Sequence, residues 1–474
     1  MSLKLTAAAL FAAFSFASFS ASSAEAVHDE FYWITQINKA SIVINSEEGL
    51  LDAKDAISIA NGLRKVVKDV EAGTIKRPMK ALDCEPALIK ASAPKPRSFT
   101  RAVRARTCMH ATHRAAILFE DVLRLHDTLN KVSNTLWGLA ERHRAGFLRD
   151  AERLEGLAGR LDRCAMGTTV LNGSSWPLNR DRMAHYLGFT KPVENAYDAG
   201  QISSMEHPVE LAGVVTAINL HIGHFIEDTL TQYAQSRPWI LLAEGGENTY
   251  VSTAMPQKRN PGLMNNTRTA ASTGIALANG TILRAHNITP GMSDPKGVKD
   301  NKAIVDQTIK ALNSLNKVLK ALVINPERAL EELNCDWTSS QEVADVLMRE
   351  YKLPFRVGHH VASGMVTYAK AHNLTPLNFP YDQMQRIYGE VLAKDYPQGP
   401  AALPMSEAEF RSTIDPARIV ANRRTAGGPQ PAEMEKMLAS SQAQLKANSA
   451  WVKAQRERIS AAAATLEQDF ERIR

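Results

Sequence analysis

The residues best suited to chemistry lie in one short stretch, residues 250–261, with the sequence YVSTAMPQKRNP. Ser252 is followed six residues later by Lys258 and two residues after that by Asn260. The stretch thus combines a hydroxyl, a cation and an amide close together, next to long helical segments. Such residue types are poor material for a hydrophobic core and well suited to binding an anion, which predicts a reactive loop.

A substrate that carries carboxylates requires charge-assisted donors, which Lys258 and Asn260 can supply. A base is also needed if a proton leaves the carbon next to such a carboxylate. Ser252 can act as that base only when backbone N–H groups and Lys258 stabilise its alkoxide, because free serine is a very weak acid. From residue types alone, a solvated basic turn explains Lys258 and Arg259 equally well.

The order of these residues resembles the signature loop of the aspartase/fumarase superfamily, GSSxMPxKxNP, and the QKRNP ending is most similar to the argininosuccinate lyase branch. The resemblance implies that Ser252 is the general base. It also implies that Lys258 and Asn260 hold the substrate carboxylate as it becomes a dianion, and that Thr253 lies in the substrate-binding loop. Val251 replaces a family glycine and Thr253 the second serine, and the loss of the glycine is expected to stiffen the loop.

Helical periodicity places this loop among long amphipathic helices. One apolar face follows Pro208, a second ends at Pro326, and a third helix spans residues 262–283 directly after the loop. Residues 118–129 and 147–161 carry two further amphipathic patterns. The first two faces consist of Leu211, Val215, Ile218, Ile222 and Phe225, then Val305, Ile309, Leu312, Leu315, Leu319 and Leu322.

Helices of this length, with apolar faces wide enough to bury on more than one side, predict an all-α long-helix bundle shared between subunits. The resemblance implies the aspartase/fumarase type of fold, a homotetramer with a multi-helix central core and active sites built from different subunits. We divide the chain into a signal peptide (1–26), an N-terminal helical domain (27–115), a central long-helix domain (116–330) with the catalytic loop 244–261, and a C-terminal helical domain (331–474).

Composition narrows the choice of partner. The formal net charge of +6 is spread along the chain, which suits a small anionic substrate and gives no argument for nucleic acid. The resemblance implies a lyase that needs no metal and no organic cofactor, and the widely spaced cysteines form no metal-binding pattern. Buried free thiols are expected, with one disulfide as the alternative, for the four cysteines Cys84, Cys108, Cys164 and Cys335.

The first 26 residues have the pattern of a targeting segment. Lys4 precedes an apolar run that ends at Phe19, and the AEA sequence at 24–26 suits signal cleavage. We therefore expect an exported protein in a bacterial periplasm. No membrane association is expected after cleavage, since this run is too short to span a bilayer and no later run reaches that length.

Softer motifs extend the resemblance to about residues 28–400. Residues 167–169 (GTT), 187–189 (LGF) and Asn195 are similar to a family segment. Residues 343–360 resemble the ADxL…PFRxxH helix pair of argininosuccinate lyases. The two histidines of that pair, His359 and His360, are weak catalytic candidates, because packing of a small C-terminal domain explains them better.

Residues 93–108 depart from the family, which has a substrate-binding loop here that ends in Gly-Arg-Ser-Arg-Asn-Asp or a near variant. This chain has a Pro/Arg-rich run with no helical or strand period. Synonymous codons exist for residues 94–108 that encode Gly-Arg-Ser-Arg-Gln-Asp in a shifted frame, directly before Met109. Our hypothesis is a pair of compensating frameshifts, and a divergent basic loop is the alternative.

A second departure lies between residues 144 and 145. Family members place a loop with a Thr-His pair here, and its histidine is implicated in protonating the leaving group. In this chain the helical pattern at 134–144 runs directly into residue 145, and that loop is missing. His143 lies at the junction and is interpreted as a solvated residue of a charged helix.

The resemblance implies a lyase that eliminates a nitrogen leaving group from an N-substituted aspartate, such as argininosuccinate, to give fumarate. A catalytically impaired or inactive family member is the alternative, because two of the three loops that meet at each active site are altered or missing. Adenylosuccinate lyase-like or carboxymuconate cycloisomerase-like activity is a second alternative. Export fits poorly with cytoplasmic arginine biosynthesis, which favours another N-succinyl amine as the substrate.

Overall fold

The computed structural model describes residues 28–78, 81–92, 106–136, 141–289 and 297–474. The expected signal peptide and most of the Pro/Arg-rich segment lie outside these residues. The described helices are α1 (Glu30–Glu47), α2 (Ala53–Glu71), α3 (Ala81–Ala91), α4 (Arg106–Leu136), α5 (Glu141–Leu161), α6 (Arg180–Tyr186), α7 (Ser203–Tyr233), α8 (Gly262–Ala285), α9 (Val298–Ala321), α10 (Pro326–Cys335), α11 (Ser340–Arg349), α12 (Phe355–Ala371), α13 (Tyr381–Asp395), α14 (Glu407–Thr413), α15 (Pro416–Ala421) and α16 (Pro431–Glu471).

Short strands connect some of these helices. β1 (Arg163–Cys164) pairs in parallel with β2 (Lys191–Pro192), while β3 (Ile240–Leu242) and β6 (Leu322–Ile324) are antiparallel, as are β4 (Tyr250–Val251) and β5 (Arg259–Asn260). A π-helical turn, Asp198–Ile202, leads directly into α7. The expected all-α architecture is confirmed.

One large hydrophobic core joins α1, α2, α4, α5 and α7 to α9. The predicted faces of α7 and α9 lie inside it, since all five predicted α7 positions are at most 4% exposed. Ile309 is only partly buried, and the second face ends in β6 rather than in the helix. The predicted boundary between the N-terminal and central domains, at residue 115, falls inside α4. Residues on both sides of this boundary contribute to the same core.

Polar contacts inside the bundle set the register of α7, α8 and α9. The Asn219 side-chain amide on α7 donates to Thr308 Oγ1 on α9 at 3.1 Å. Gly274 of α8 lies so close to Asn219 that an added Cβ would come within 2.7 Å of its Nδ2. Thr267 and Ser314 share a hydrogen bond of 2.6 Å between α8 and α9. Such buried hydrogen bonds favour one alignment of the three helices.

A second, smaller core lies within α11 to α14. The last helix, α16, does not belong to it, because Leu466 and Phe470 are buried in the first core. The Arg64 guanidinium of α2 also donates to the Phe470 carbonyl at 3.0 Å. The sequence analysis assigned residues 331–474 to one C-terminal domain, whereas α16 packs on α1, α4, α5 and α6.

The segment Asp198–Tyr233 is long and apolar enough to cross a membrane, judged by length and composition. The expectation that no later run reaches that length was therefore wrong. Half of its most apolar window is buried inside the fold, where α7 packs against α8 and α9. Its position in the bundle accounts for its apolar composition.

Candidate active site

The predicted reactive loop forms a β-hairpin that leads into α8. Tyr250 pairs with Asn260 and Val251 pairs with Arg259, and residues 252–258 form the tip between the two strands. Val251, which stands where the family has glycine, therefore lies in a strand. A β-branched residue suits this position, which is consistent with a stiffened loop.

Ser252 begins the tip, and its hydroxyl oxygen accepts two backbone hydrogen bonds. The donors are the N–H groups of Met255 at 3.1 Å and Ala254 at 3.3 Å. The tip is closed by the Ser252 N–H, which donates to the Lys258 carbonyl at 3.3 Å, and by the Lys258 N–H, which donates to the Met255 carbonyl at 3.0 Å. Two N–H groups directed at one oxygen stabilise negative charge on it, as a serine base requires.

The other predicted site residues lie on the same hairpin. Thr253 and Lys258 are exposed at the tip. The Asn260 side-chain amide donates to the Tyr250 carbonyl at 3.3 Å, across the base of the hairpin. Asn260 does not cap the following helix, because Pro261 occupies the N-cap of α8 and no side chain caps it.

Two aromatic residues attach the hairpin to the bundle. The Tyr233 hydroxyl at the end of α7 donates to the Arg259 carbonyl at 3.0 Å. Burial and the Glu244 carboxylate raise the pKa of Tyr233, so its hydroxyl remains a donor at neutral pH. The Tyr250 ring packs over Gly262, where an added Cβ would lie 3.0 Å from the ring. The first residue of α8 is therefore a glycine for steric reasons.

The Gly-Thr segment carries backbone strain. Thr169 has a φ of 56°, which is rare for a β-branched residue, and its hydroxyl donates to the Gly173 carbonyl at 2.6 Å. Gly167, with a φ of +81°, packs against Arg180, whose side chain would lie 2.9 Å from an added Cβ. Strain of this kind concentrates at ligand-binding sites.

The π-helical turn lies beside the start of α4. Asn195 Oδ1 accepts from the N–H groups of Tyr197 at 2.9 Å and Asp198 at 3.0 Å, so this residue begins the turn. The Thr107 methyl group lies 3.1 Å from the position of a Cβ on Gly200. Thr107, near the end of the altered segment 93–108, thus packs on a π-turn, an element that is frequent at functional sites.

A histidine pair that the sequence analysis did not single out lies on the same end of α4. His110 Nδ1 and His113 Nε2 are 2.7 Å apart and share a hydrogen bond. Burial, together with His110 and Arg114, holds the pKa of His113 well below its usual value, so His113 is neutral. The HATH sequence, with histidines three residues apart on one helix face, is the signal that could have revealed the pair.

The point at which the Thr-His loop is missing lies inside α5. α4 ends at Leu136 and α5 begins at Glu141, so residues 144 and 145 are consecutive helical residues. Of the expected helix over 134–144, residues 134–136 and 141–144 are helical, and residues 137–140 lie outside the described residues. His143 is not simply solvated, because its Nε2 lies 3.0 Å from Asp228 Oδ2 on α7.

The remaining predicted groups lie elsewhere. His360 Nδ1 pairs with Asp395 Oδ2 at 2.6 Å within the C-terminal helices, which fits a packing role. The four cysteines, which all lie in the described part of the chain, form no disulfide, as expected, and three are buried while Cys335 is exposed. Burial raises the pKa of the Cys164 thiol to about 12, which makes it unreactive at neutral pH.

Comparison with known sequences identifies two matching families. Residues 128–274 match the lyase family, and residues 337–421 match the argininosuccinate lyase C-terminal family. The argininosuccinate lyase of Pelotomaculum thermopropionicum is 25% identical over 81% of this chain and 86% of its own length. Argininosuccinate lyase 2 of Agrobacterium fabrum is 25% identical over 92% of this chain and 91% of its own.

Solved structures share the fold. An EDDS lyase in complex with formate superposes with a TM-score of 0.81 at 20% identity, covering 94% of this chain and 92% of that one. A class II fumarase from Schistosoma mansoni gives a TM-score of 0.58 at 13% identity, over 79% of this chain and 92% of the fumarase. The 3-carboxy-cis,cis-muconate lactonizing enzyme from Pseudomonas putida gives a TM-score of 0.54 at 16% identity, over 89% of this chain and 95% of that enzyme.

Proposed function

Since this chain belongs to the argininosuccinate lyase-like branch of the aspartase/fumarase superfamily and is thereby a carbon–nitrogen lyase, we propose that it releases fumarate from an N-substituted aspartate. The observation that carries the proposal is the pair of N–H groups of Ala254 and Met255 that donate to Ser252 Oγ. They provide what a serine needs to serve as the base in such an elimination.

The proposed reaction is an elimination in which Ser252 takes the proton. Its alkoxide removes a proton from the carbon that bears one carboxylate, and the electron pair passes into that carboxylate. The pair then forms the double bond of fumarate as the bond between the neighbouring carbon and nitrogen breaks, and the nitrogen leaves with a proton. Lys258 and Asn260 are proposed to bind the carboxylate while it carries the additional charge, where stabilisation has its greatest effect on rate.

The substrate class is proposed from the relatives. The similar sequences are named argininosuccinate lyases, and one similar structure is an EDDS lyase variant with bound fumarate. These names favour a nitrogen leaving group on a succinate unit. The muconate lactonizing enzyme shares the fold at a TM-score of 0.54 and only supports a common architecture.

We further propose that the chain works as a homotetramer with shared active sites. Large apolar side chains on the outer faces of α7 and α8 support this, because soluble monomers rarely expose such patches. They are Leu220 (47% exposed), Leu277 (38%), Ile282 (42%) and Leu283 (75%). Sedimentation velocity is expected to show a tetramer, and a stable monomer at micromolar concentration would contradict this.

Export to the periplasm is part of the same proposal and is tested by fractionation of a bacterial host.

A second candidate is a family member that assembles but has lost most of its activity. It is favoured by the helical continuity of residues 144 and 145 within α5, because the family's Thr-His loop would lie between them. The Pro/Arg-rich sequence of residues 93–108 adds to this argument. The codons of residues 94–108 test the frameshift hypothesis, which fails if they do not spell the family motif in the shifted frame.

One assay separates the two candidates. Fumarate release is measured with a panel of N-substituted aspartates, using the chain as it stands and a loop-restored chain that carries both family loops. Release by the loop-restored chain supports the lyase. Absence of release from every substrate by both chains, with the oligomer intact, contradicts it. Release by the unaltered chain at a rate equal to that of the restored chain excludes the impaired candidate.

A further inference from the structure

Arg259 occupies a position that the family motif leaves open, yet its side chain makes the closest contacts in the hairpin. Its Nη1 donates to the Pro256 carbonyl at 2.7 Å and, more weakly, to the Lys258 carbonyl at 3.4 Å. Its Nε donates to Glu244 Oε2 at 2.9 Å. One guanidinium therefore bonds the tip and a residue outside the hairpin at the same time.

The tip needs such a contact because burial does not hold it. Residues 253–258 are all exposed, and Ser252 is only half-buried. The backbone bond that closes the tip, from the Ser252 N–H to the Lys258 carbonyl, is long at 3.3 Å. The Pro256 carbonyl directly follows Met255, so fixing this carbonyl fixes the turn that directs the N–H groups of Ala254 and Met255 at the Ser252 oxygen.

Hydrogen bonds of the neighbouring residues hold the backbone at Glu244 in place. The neighbouring Ala243 N–H donates to the Ala321 carbonyl at the end of α9 at 2.8 Å. The Asn248 side-chain amide donates to the Ala243 carbonyl at 3.1 Å, and the Thr249 hydroxyl accepts from the Gly245 N–H at 3.0 Å. The segment that carries Glu244 is thereby attached to the bundle, while the hairpin tip is not.

We propose that Arg259 is a positioning residue, which holds the tip of the hairpin between Glu244 and the Pro256 carbonyl. The two N–H groups then remain directed at Ser252 before any substrate binds. The importance of this geometry for a base rests on the function proposed above, whereas the arrangement itself does not. The ion pair adds little to overall stability, because Arg259 and Glu244 side chains are 32% and 65% exposed.

Lysine cannot replace this arginine. The fork of the guanidinium presents Nε and Nη1 at a fixed angle, so one planar group serves Glu244 and the Pro256 carbonyl together. A lysine keeps the charge but offers a single ammonium that cannot keep both contacts in the same geometry. Arg259→Lys therefore separates the effect of shape from the effect of charge.

The first experiment measures hydrogen–deuterium exchange in the full chain without restored loops and in single-residue variants of it. Arg259→Lys and Glu244→Gln are expected to accelerate exchange of the amides of residues 252–258 about five- to tenfold, the effect of losing a hydrogen bond that restrains a local opening. Arg237→Lys is the matched control. This exposed arginine makes two hydrogen bonds to Glu331, at 2.7 and 3.1 Å, outside the hairpin. Exchange in the tip is expected to stay unchanged in the control.

The second experiment measures fumarate release by the loop-restored chain as a function of pH. Arg259→Lys is expected to lower kcat about ten- to a hundredfold, since catalysis is sensitive to small errors in geometry. Weaker donation to the alkoxide raises the pKa of the Ser252 hydroxyl, so the alkaline pH needed for half-maximal kcat/KM moves upward. A purely structural role would lower the amount of folded enzyme without moving this profile.

The outcomes are distinct. Unchanged exchange of residues 252–258 in Arg259→Lys overturns the proposal, whatever the activity. Faster exchange with an unmoved pH profile in an active enzyme also overturns the proposal, because the base is then independent of the contacts of Arg259 with Glu244 and the Pro256 carbonyl. If the loop-restored chain releases no fumarate, the proposed function fails, and the exchange data still decide whether Arg259 holds the tip.

Discussion

The signature hairpin (residues 250–261) keeps the family's residue types, whereas the two altered loops (residues 93–108 and the point between residues 144 and 145) depart from the family pattern. The hairpin orders itself through contacts between residues close in sequence, as in the bonds from Ala254 and Met255 to Ser252. At the second departure, residues 144 and 145 are consecutive residues of α5, which packs in the first core without an inserted loop. A protein can therefore keep its scaffold and one complete site segment while two others are lost, because surface loops contribute little to the core.

Restoration of the altered loops is expected to have the largest effect on fumarate release. The chain as it stands is expected to release little or no fumarate, although it folds. General acid catalysis and substrate orientation are each worth about a hundred- to ten-thousandfold, so a chain with both family loops restored is expected to gain at least that factor. Steady-state fumarate release by the two chains measures this gain in rate. Robust turnover by the unaltered chain would show that the altered loops are not defects.

The next effect concerns the hairpin alone. Ser252→Ala in the loop-restored chain is expected to reduce turnover to near background, because it removes the proposed base. The melting temperature and the oligomer are expected to stay almost unchanged, since a half-buried hydroxyl on a surface tip contributes little packing. Thr269→Ala, which removes an exposed hydroxyl from α8, is the control. Near-normal turnover of Ser252→Ala would remove this residue from the mechanism.

Lys258→Met tests the electrostatic part of the same hairpin. Loss of a positioned cation that stabilises a developing dianion costs about 3 kcal/mol or more, which is about a hundredfold or more in rate. Lys310→Met removes an exposed lysine from α9 and serves as the control for charge. A reduction smaller than about tenfold in kcat/KM would assign Lys258 a structural role. Stopped assays in the loop-restored chain provide the measurement.

The smallest expected effect concerns the scaffold that the two regions share. Burial raises the pKa of Asp121 on α4 to about 6, although Arg124 bonds its carboxylate at 2.7 Å. The folded protein therefore holds this proton more tightly than the unfolded chain does. The contribution of Asp121 to stability is therefore fully present below about pH 4 and is lost as the pH rises through about 6, a decline of about 1 to 3 kcal/mol.

Asp121→Asn is expected to remove that decline, as measured by urea unfolding at several pH values. Asp127→Asn, which breaks the ion pair with Lys131 on the same helix, is expected to keep it. An equal slope in Asp121→Asn and the unaltered chain would show that Asp121 titrates normally. A flat profile in every chain would contradict the assignment of this decline to α4.

The sequence alone determined the long helices and the position of the candidate reactive loop, whereas the hairpin form of this loop came from the structure. The apolar faces of α7 and α9 follow from a period of three to four residues, which any buried helix must show. The roles expected for Ser252, Lys258 and Asn260 came from the resemblance of a single stretch to a family signature loop. Both kinds of signal are local, so no knowledge of the distant contacts was needed to find them.

Only the tertiary structure decided which distant residues meet. α16 returns to the first core through Leu466 and Phe470, and no pattern within α16 specifies its partners. The contact of Arg259 with Glu244 depends on the anchoring of Ala243 to the end of α9. Asn260 lies in β5 and donates to the Tyr250 carbonyl, and it does not cap α8, because the N-cap position falls on Pro261. Periodicity reveals which face of an element is buried, whereas its partner follows from the packing of the whole chain.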